Sequence, residues 1–274
     1  VHSVWAMWHQ MQEGDFVQTY TEKGFRGNDK EWESMCIPFG EDAKICLNGV
    51  IDRVDLCSLP GEKLIKIIDY KSSDSQDLLL AKVYYGLQMQ LLTYLEAAKE
   101  MVEKEHEGKE AVPAAMLYYV IKEKNLDWKP ESEEEYEKRV LDSMKCKGYV
   151  NEEPEIIGHL DKSVVNGGEL IPGQKSGVVP VAVDKKGLLK KNSGTLSTKD
   201  FETLIAHTKE KMKECGKAIL DGKIEAIPYV YEDNDGCTYC PYGSVCGHES
   251  KKDGVREMKK MSDDEVWEAL YGDN

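Results

Sequence analysis

The sequence lacks any apolar run long enough to cross a bilayer: its uninterrupted hydrophobic stretches are a few residues long, against the ~18 that a spanning helix needs. Val1 to Gln10 places no basic region ahead of an apolar stretch, so a secretory leader is not expected there. The first residue is Val1 rather than methionine, which suggests a piece of a longer or processed chain. No glycine-rich loop ending in Gly-Lys-Ser or Gly-Lys-Thr occurs, so any use of ATP is expected to belong to a partner. There is no internal repeat, which excludes a solenoid. Positive charge is scarce: 36 Lys and Arg face 51 Asp and Glu, leaving a net charge of -15 at pH 7. Long-range attraction to nucleic acid is therefore not expected from the total.

What remains is an ordinary globular composition, with 41% hydrophobic and 32% charged residues over 274 positions. That length suits one core, or one core with an appendage. The charge is uneven. Glu131 to Glu137 holds five carboxylates, and Glu152, Glu153, Glu155, Asp233 and Asp235 add more, whereas Lys185, Lys186, Lys190 and Lys191 form a basic island. Eight cysteines in so long and acidic a chain read as reduced thiols of a cytoplasmic protein rather than as a disulfide framework. Cys36, Cys46, Cys57, Cys146 and Cys215 stand singly in periodic segments and are expected as buried free thiols.

Periodicity orders the chain. An amphipathic helix is predicted over about Ser3–Tyr20 and a polar loop over 21–30. Short strands over Met35–Phe39 and Ala43–Leu47 flank a turn, and longer ones follow at Val50–Cys57 and Lys63–Lys71. A long helix over about Leu78–Glu100 precedes a strand at Ala114–Ile121 and a charged helix at Ser132–Cys146. Val178–Val183 reads as a further strand, Ser197 with Asp200 caps a helix to Leu220, and a last helix begins after Ser262. Strands clustered between helices argue for an α/β or α+β core and against a helical bundle.

Two of these strands carry chemistry. On Val50–Leu56, Val50, Asp52, Val54 and Leu56 share a face on which Asp52 is the only charge. On the next strand Ile65 and Ile67 lead to Asp69 and Lys71, roughly 6 to 7 Å apart on one face. A carboxylate buried without a partner is costly, so each position calls for a cation, a donor or an exposed sheet end. A hairpin would set Asp52 beside Asp69, and such a pair can bind a divalent cation with Lys71 next to the reacting oxygen, the set that phosphodiester hydrolysis needs. The plainer alternative is a pair of strand-end acids bridged to Arg53 or Lys71. In the following helix Gln90 and Tyr94 are four apart and share a face, with Gln88 on another side. They suit either a self-satisfied core edge or the positioning of a phosphate or nucleobase.

Gly236-Cys-Thr-Tyr-Cys-Pro-Tyr-Gly-Ser-Val-Cys246 gathers the remaining thiols, Cys237, Cys240 and Cys246. This spacing suits a metal or iron–sulfur site better than a redox pair, and it leaves iron and zinc both open. The triad is one ligand short of the usual four; without a partner it is expected to be empty, disulfide-linked or completed by His248.

Gly49-Val-Ile-Asp-Arg-Val-Asp55, Asp69-Tyr-Lys-Ser-Ser73 and Gln90-Leu-Leu-Thr-Tyr94, in that order, resemble the three nuclease motifs of the RecB-like branch of the PD-(D/E)XK superfamily. More narrowly, the chain resembles the C-terminal nuclease region of the B subunits of bacterial ATP-dependent helicase-nucleases. The likeness continues through Pro113–Tyr119, Ile156–Lys162, Ile219–Lys223 and Cys240–Cys246, covering nearly the whole chain. It implies a restriction-endonuclease-like mixed sheet flanked by helices, with a nuclease core over 1–230 and a cysteine segment with a terminal helix over 231–274. By the family pattern Asp52 and Asp69 ligate Mg²⁺ or Mn²⁺, the Tyr70 carbonyl completes the metal shell, Lys71 is catalytic, and Gln90 with Tyr94 contacts DNA or braces the site. An acidic residue ahead of the first strands is also implied, with Glu33 the choice and Glu31 the alternative. The family's upstream histidine is not assigned, because His9 lies only 43 residues before Asp52.

The resemblance also implies a structural 4Fe-4S cluster on Cys237, Cys240 and Cys246. Its fourth cysteine lies far upstream, so this chain by itself is expected to hold no cluster or a labile one. The implied activity is metal-dependent exonuclease action on single-stranded DNA ends in double-strand break repair and recombination. The implied partner is the A subunit of the ATP-dependent helicase/nuclease, in the cytoplasm. The competing expectation is a DNA-binding or scaffold module of such a complex that no longer cleaves; the presence of Asp52, Asp69 and Lys71 together favours the enzyme.

Overall fold

Alternating apolar residues on neighbouring segments build a mixed sheet. The computed structural model describes residues 2–27, 32–40, 42–73, 77–122, 126–127, 129–249 and 254–272. The described elements begin with α1 His2–Gln12, β1 Val17–Phe25, β2 Met35–Phe39, β3 Ala43–Leu47, β4 Gly49–Ser58 and β5 Glu62–Lys71. They continue through α2 Leu80–Tyr84, α3 Gln90–Glu105, β6 Glu110–Val120, α4 Glu133–Ser143, β7 Lys147–Asn151 and α5 Pro154–Leu160. After β8 Val165–Asn166, β9 Glu169–Leu170 and β10 Thr195–Leu196 come α6 Thr198–Leu220, β11 Tyr229–Tyr231, β12 Asn234–Asp235, α7 Gly243–Cys246, β13 Arg256–Met258 and α8 Asp263–Gly272. Two compact units emerge, one built from residues up to 36, 46–78 and 89–206, the other from 37–45, 79–88 and 207 onward.

The first unit holds a six-stranded sheet in the order β1-β4-β5-β6-β7-β10, in which β5–β6 and β7–β10 run parallel and the other neighbours antiparallel. This is the mixed sheet flanked by helices that the strand cluster and the family resemblance implied. One face buries Leu64, Ile68, Leu117 and Tyr119 against Ile157, Leu160, Val179 and Val181. On the other face Val54, Ile65, Ile67 and Met116 are fully buried, and α3 packs over β5 and β6 with Leu91, Leu95, Ala98 and Val102 inward. The capped helix starts expected at Ser197 with Asp200 and at Ser262 hold, the latter with Glu265, and Ser132 with Glu135 forms a third; each pair exchanges side-chain and backbone hydrogen bonds.

In the second unit β11 pairs in parallel with β13 and antiparallel with β12. Here Tyr84 stacks on His207 with ring centroids 5.2 Å apart, and Tyr85 packs against Tyr231. Gly216 lets the Phe39 ring approach to 2.9 Å from where a Cβ would lie.

Four expectations are corrected. The helix expected over Ser3–Tyr20 ends at Gln12, and Val17–Phe25, partly assigned to a loop, is the edge strand β1. Val17, Thr19, Tyr20 and Thr21 favour a strand, and Gly14 brings the backbone against the His159 and Leu160 carbonyls, 2.5 and 2.7 Å from where a Cβ would stand. The long helix expected from Leu78 is interrupted after Tyr84, where Gly86 adopts φ +77°. Val178–Val183 makes only isolated bridges, because its buried valines pack as a covering segment. Cys36 and Cys46 are neither buried nor free: they face solvent on β2 and β3 and form a disulfide. Of the other single cysteines, Cys57 and Cys146 are buried free thiols as expected, while Cys215 is exposed.

One cluster in the sheet goes against apolar patterning. Arg53, 2% exposed, donates to the fully buried Asp55 through Nε at 2.7 Å and Nη2 at 2.8 Å. Lys66 Nζ lies 2.9 Å from the same carboxylate and 4.9 Å above the Phe16 ring. Burial pushes the Asp55 carboxyl up, but the Lys66 and Arg53 charges outweigh it and hold it below the ordinary 3.8. Its contribution to stability is therefore present above pH 3.8 and lost as pH falls below that through the lower native value. Asp55→Asn leaves two buried cations facing no anion and should cost about 3–5 kcal/mol in urea unfolding at pH 7. The difference between parent and variant should shrink in strong acid. A loss under about 1 kcal/mol, or a difference independent of pH, would contradict this account.

Candidate active site

The register of β4 on β5 sets Arg53 opposite Ile68 and Val54 opposite Ile67, and the same register one step further sets Asp52 opposite Asp69. At that step Asp52 Oδ2 accepts the backbone N–H of Tyr70 at 2.8 Å, tying the first carboxylate to the strand that carries the second. Asp69 is 3% exposed, and burial raises its carboxyl above the ordinary value; Lys71 pulls it down and the Asp52 charge pushes it up further. Lys71 Nζ stands 2.5 Å from Asp69 Oδ2, an ion-pair contact without hydrogen-bond alignment. That oxygen is thus buried with no aligned donor among the described residues.

The helix α3 holds the ammonium from the other side. Lys71 Nζ donates to Gln90 Oε1 at 3.0 Å, and Gln90 Nε2 donates to the Tyr94 hydroxyl at 3.0 Å. The Tyr94 ring meets Phe25 edge-on with centroids 6.1 Å apart. Both rings crowd Gly49, where a Cβ would stand 2.7 Å from Phe25 and 3.4 Å from Tyr94. Five residues picked out by alternation and helical spacing, Asp52, Asp69, Lys71, Gln90 and Tyr94, are therefore brought into one connected group. Tyr70, between the acid and the lysine, turns its side chain to the opposite face, where its hydroxyl lies 3.6 Å from Met7 Sδ.

Tyr118 joins this group and was not singled out in the sequence. It pairs with Asp69 across the parallel β5–β6 ladder, and Lys71 Nζ sits 5.2 Å from its ring centroid. Burial, then the Asp69 charge, push its phenol up to about 12. Its place in a run of apolar and aromatic residues hid it, because only the register between strands reveals which tyrosine lies under the lysine.

Other candidates lie elsewhere. Glu33 is exposed and pairs with Lys104 Nζ at 2.6 Å. Lys104 is ten residues beyond Tyr94 on α3, about 15 Å along the helix axis, so Glu33 is not brought to Asp52 and Asp69. Glu31 lies outside the described residues. His9, on α1, stands 3.5 Å from Glu13 just past the helix end, and Gln88 accepts the Leu79 N–H at 2.9 Å.

Cys237, Cys240 and Cys246 are free and exposed. Asp235 Oδ1 accepts the N–H groups of Cys237 and Thr238, and Cys240 N–H closes a turn onto the Cys237 carbonyl. Among the described residues no group of three or more His, Cys, Asp or Glu is arranged to hold a metal ion. The convergence expected of the three thiols is therefore not supported, and with it the iron–sulfur cluster. Tyr239, 93% exposed, and Tyr242, 68% exposed, add no apolar packing to this segment. By contrast, Asp52 and Asp69 fit a hard divalent cation: Asp52 Oδ2 accepts the N–H next to Asp69, its charge acts on the Asp69 carboxyl, and one buried Asp69 oxygen lacks an aligned donor.

Comparison with known sequences agrees with this geometry. The family model of the PD-(D/E)XK nuclease superfamily matches residues 1–247. The chain is 34% identical over 266 residues to the B subunit of an ATP-dependent helicase/deoxyribonuclease from Lachnoclostridium phytofermentans, covering 96% of this chain and 22% of that protein. It is 32% identical over 272 residues to the protein of the same description from Thermoanaerobacter sp., covering 98% and 23%. The match in Clostridium botulinum is 33% over 275 residues, covering 98% and 23%. The chain thus spans under a quarter of the length of these relatives.

The packing at Gly49 is directly testable. Gly49→Val drives two branches into the Phe25 and Tyr94 rings and should cost about 1–3 kcal/mol in urea unfolding. Adding Phe25→Leu should recover part of that loss. Strictly additive losses in the double variant would contradict the contact.

Proposed function

The chain belongs to the PD-(D/E)XK nuclease superfamily, and from that premise we propose that Asp52, Asp69 and Lys71 carry out metal-dependent hydrolysis of DNA phosphodiester bonds. The observation that carries this reading is the shared face of Asp52, Asp69 and Lys71 at the ends of β4 and β5, with a buried, unaligned carboxylate oxygen on Asp69. Asp52, Asp69 and the Tyr70 carbonyl would hold Mg²⁺ or Mn²⁺. When bound, such a cation polarises a phosphoryl oxygen and makes a coordinated water a stronger nucleophile at neutral pH.

The chain's own residues do the rest. The Lys71 ammonium neutralises charge that develops on the phosphoryl oxygens and orients the attacking water. Gln90 Oε1 accepts one hydrogen bond from the ammonium, fixing the direction of the other N–H groups, and Tyr94 in turn fixes the Gln90 amide. The Tyr118 ring supports the ammonium from the sheet side and excludes water there. Burial keeps the Asp69 carboxylate in a low-dielectric setting where each of these charges acts strongly.

The substrate we propose is single-stranded DNA, degraded from its ends. The setting is a bacterial helicase-nuclease complex for double-strand break repair, with the A subunit of the ATP-dependent helicase/nuclease as partner, in the cytoplasm. The relatives' description as subunits of a helicase/deoxyribonuclease supports this setting. Among the described residues no helix is long and apolar enough to cross a bilayer.

Asp69→Ala and Lys71→Ala should each lower cleavage of single-stranded DNA in Mg²⁺ by at least about a hundredfold, with urea midpoints near the parent's. Chelation should abolish cleavage by the parent. Undiminished cleavage by both variants would refute the assignment.

A further inference from the structure

The face that carries Asp69 and Lys71 holds a second lysine. Tyr118 on β6 pairs with Asp69 on β5 and, on its other side, with Lys147 on β7. Residues paired across a ladder point the same way, so one row of the sheet reads Asp69, Tyr118, Lys147 on one face. Two strand spacings, about 10 Å, separate the acid from the lysine along that row. The row also lies at a sheet end: β5 finishes at Lys71 and β6 at Val120, while the antiparallel β7 begins at Lys147. Lys185, Lys186, Lys190 and Lys191 do not serve this face, because Val179, Val181 and Leu189, which anchor their loop, pack in the opposite core.

Local geometry holds Lys147 in place. Gly148, next to it, takes φ +127°, and a Cβ there would stand 2.3 Å from the Met116 carbonyl oxygen, so β7 lies tight against β6 beside the lysine. The Lys147 side chain is 32% exposed, and its Nζ meets the carboxylate of Asp77, beyond the end of β5, at 2.8 Å. The Asp77 side chain is 64% exposed, and an ion pair so open to solvent contributes little to stability. A second anion can therefore take the place of that carboxylate at low cost. Lys71, by contrast, is engaged by Asp69 and Gln90 and sits over the buried Tyr118 ring. Lys147 is thus an ammonium on the row of the acids whose contact with Asp77 is exchangeable.

We propose that Lys147 positions the substrate: its ammonium exchanges Asp77 for a phosphate of the DNA strand, neighbouring the phosphate cut beside Lys71. The choice of DNA rests on the nuclease reading above; the residue rests on the sheet register and the open ion pair. The chain carries a net charge of -15, and the site itself presents two acids, Asp52 and Asp69. A cation on their face offsets that repulsion where the strand lies and fixes which bond reaches Lys71. Asp77 acts in the opposite sense, as an internal anion that competes with the strand for the same ammonium.

Opposed roles for Lys147 and Asp77 are measurable. Binding of a fluorescein-labelled single-stranded oligonucleotide is followed by anisotropy in chelator over a series of salt concentrations, for the parent, Lys147→Gln, Lys147→Arg and Asp77→Asn. Lys147→Gln should weaken binding about tenfold at low salt and flatten the slope of log affinity against log salt by about 0.7, the loss of one phosphate contact, while Lys147→Arg keeps both. Asp77→Asn should tighten binding about threefold. In Mg²⁺, Lys147→Gln should raise KM about tenfold with kcat within about twofold of the parent's, and Asp77→Asn should lower KM. A merely structural ion pair would make Lys147→Gln and Asp77→Asn shift binding alike, so shifts in one direction, or no shift for Lys147→Gln, would overturn the proposal. So would a parent that binds no single strand even at low salt. Opposite shifts about a parent that binds yet never cuts would sink the nuclease reading and leave the Lys147 contact standing.

Discussion

A slip of one residue between β4 and β5 would turn one strand over relative to the other. If β4 turned, Arg53 and Asp55 would face α3 and part from Lys66, and Asp52 would be buried against the opposite core, away from Asp69 and Lys71. The register therefore decides both the stability and the chemistry of the sheet. Two polar contacts pin it from opposite sides: the Asp55 carboxylate holds Arg53 along β4 and Lys66 across on β5, while Asp52 takes the Tyr70 N–H on the other face. Neither is an apolar contact, and apolar packing alone would tolerate a slip better than a buried charge does.

The electrostatics of the molecule follow a division of labour. The buried Asp55 is matched by Arg53 and Lys66, whereas Asp69 has Lys71 for a partner and the Asp52 charge beside it. The remaining acids are spread over the surface and give the chain its strong negative charge, which repels a polyanion at a distance.

Much of this was legible in the sequence where a short-range period carries the information. Asp52, Asp69 and Lys71 stood out as charges on apolar faces, and Gln90 with Tyr94 as a pair one helical turn apart. The capped helix starts at Ser197 and Ser262 were legible because a cap is a local hydrogen-bond pattern. What could not be read depended on non-local contacts. Tyr118 under Lys71 needs the β5–β6 register, Asp55 needs a cross-strand lysine to be satisfied in the core, and the Cys36–Cys46 bond needs two strands to pair. The first helix was drawn too long because apolar spacing continues past Gln12, where the close approach of Gly14 to the His159 and Leu160 carbonyls and the β-favouring residues after it settle the structure. Glu33 was placed by analogy of order, and its ion pair with Lys104 holds it elsewhere.

The central claim is that Asp52 and Asp69 form one site for a divalent cation with Lys71 beside it. Titration of the chain with Mn²⁺, followed by electron paramagnetic resonance without DNA, tests it most directly. One tightly bound ion per chain is expected for the parent, loss of that ion in Asp69→Asn, and its retention in Lys71→Ala. Equal Mn²⁺ binding by the parent and Asp69→Asn would contradict the account.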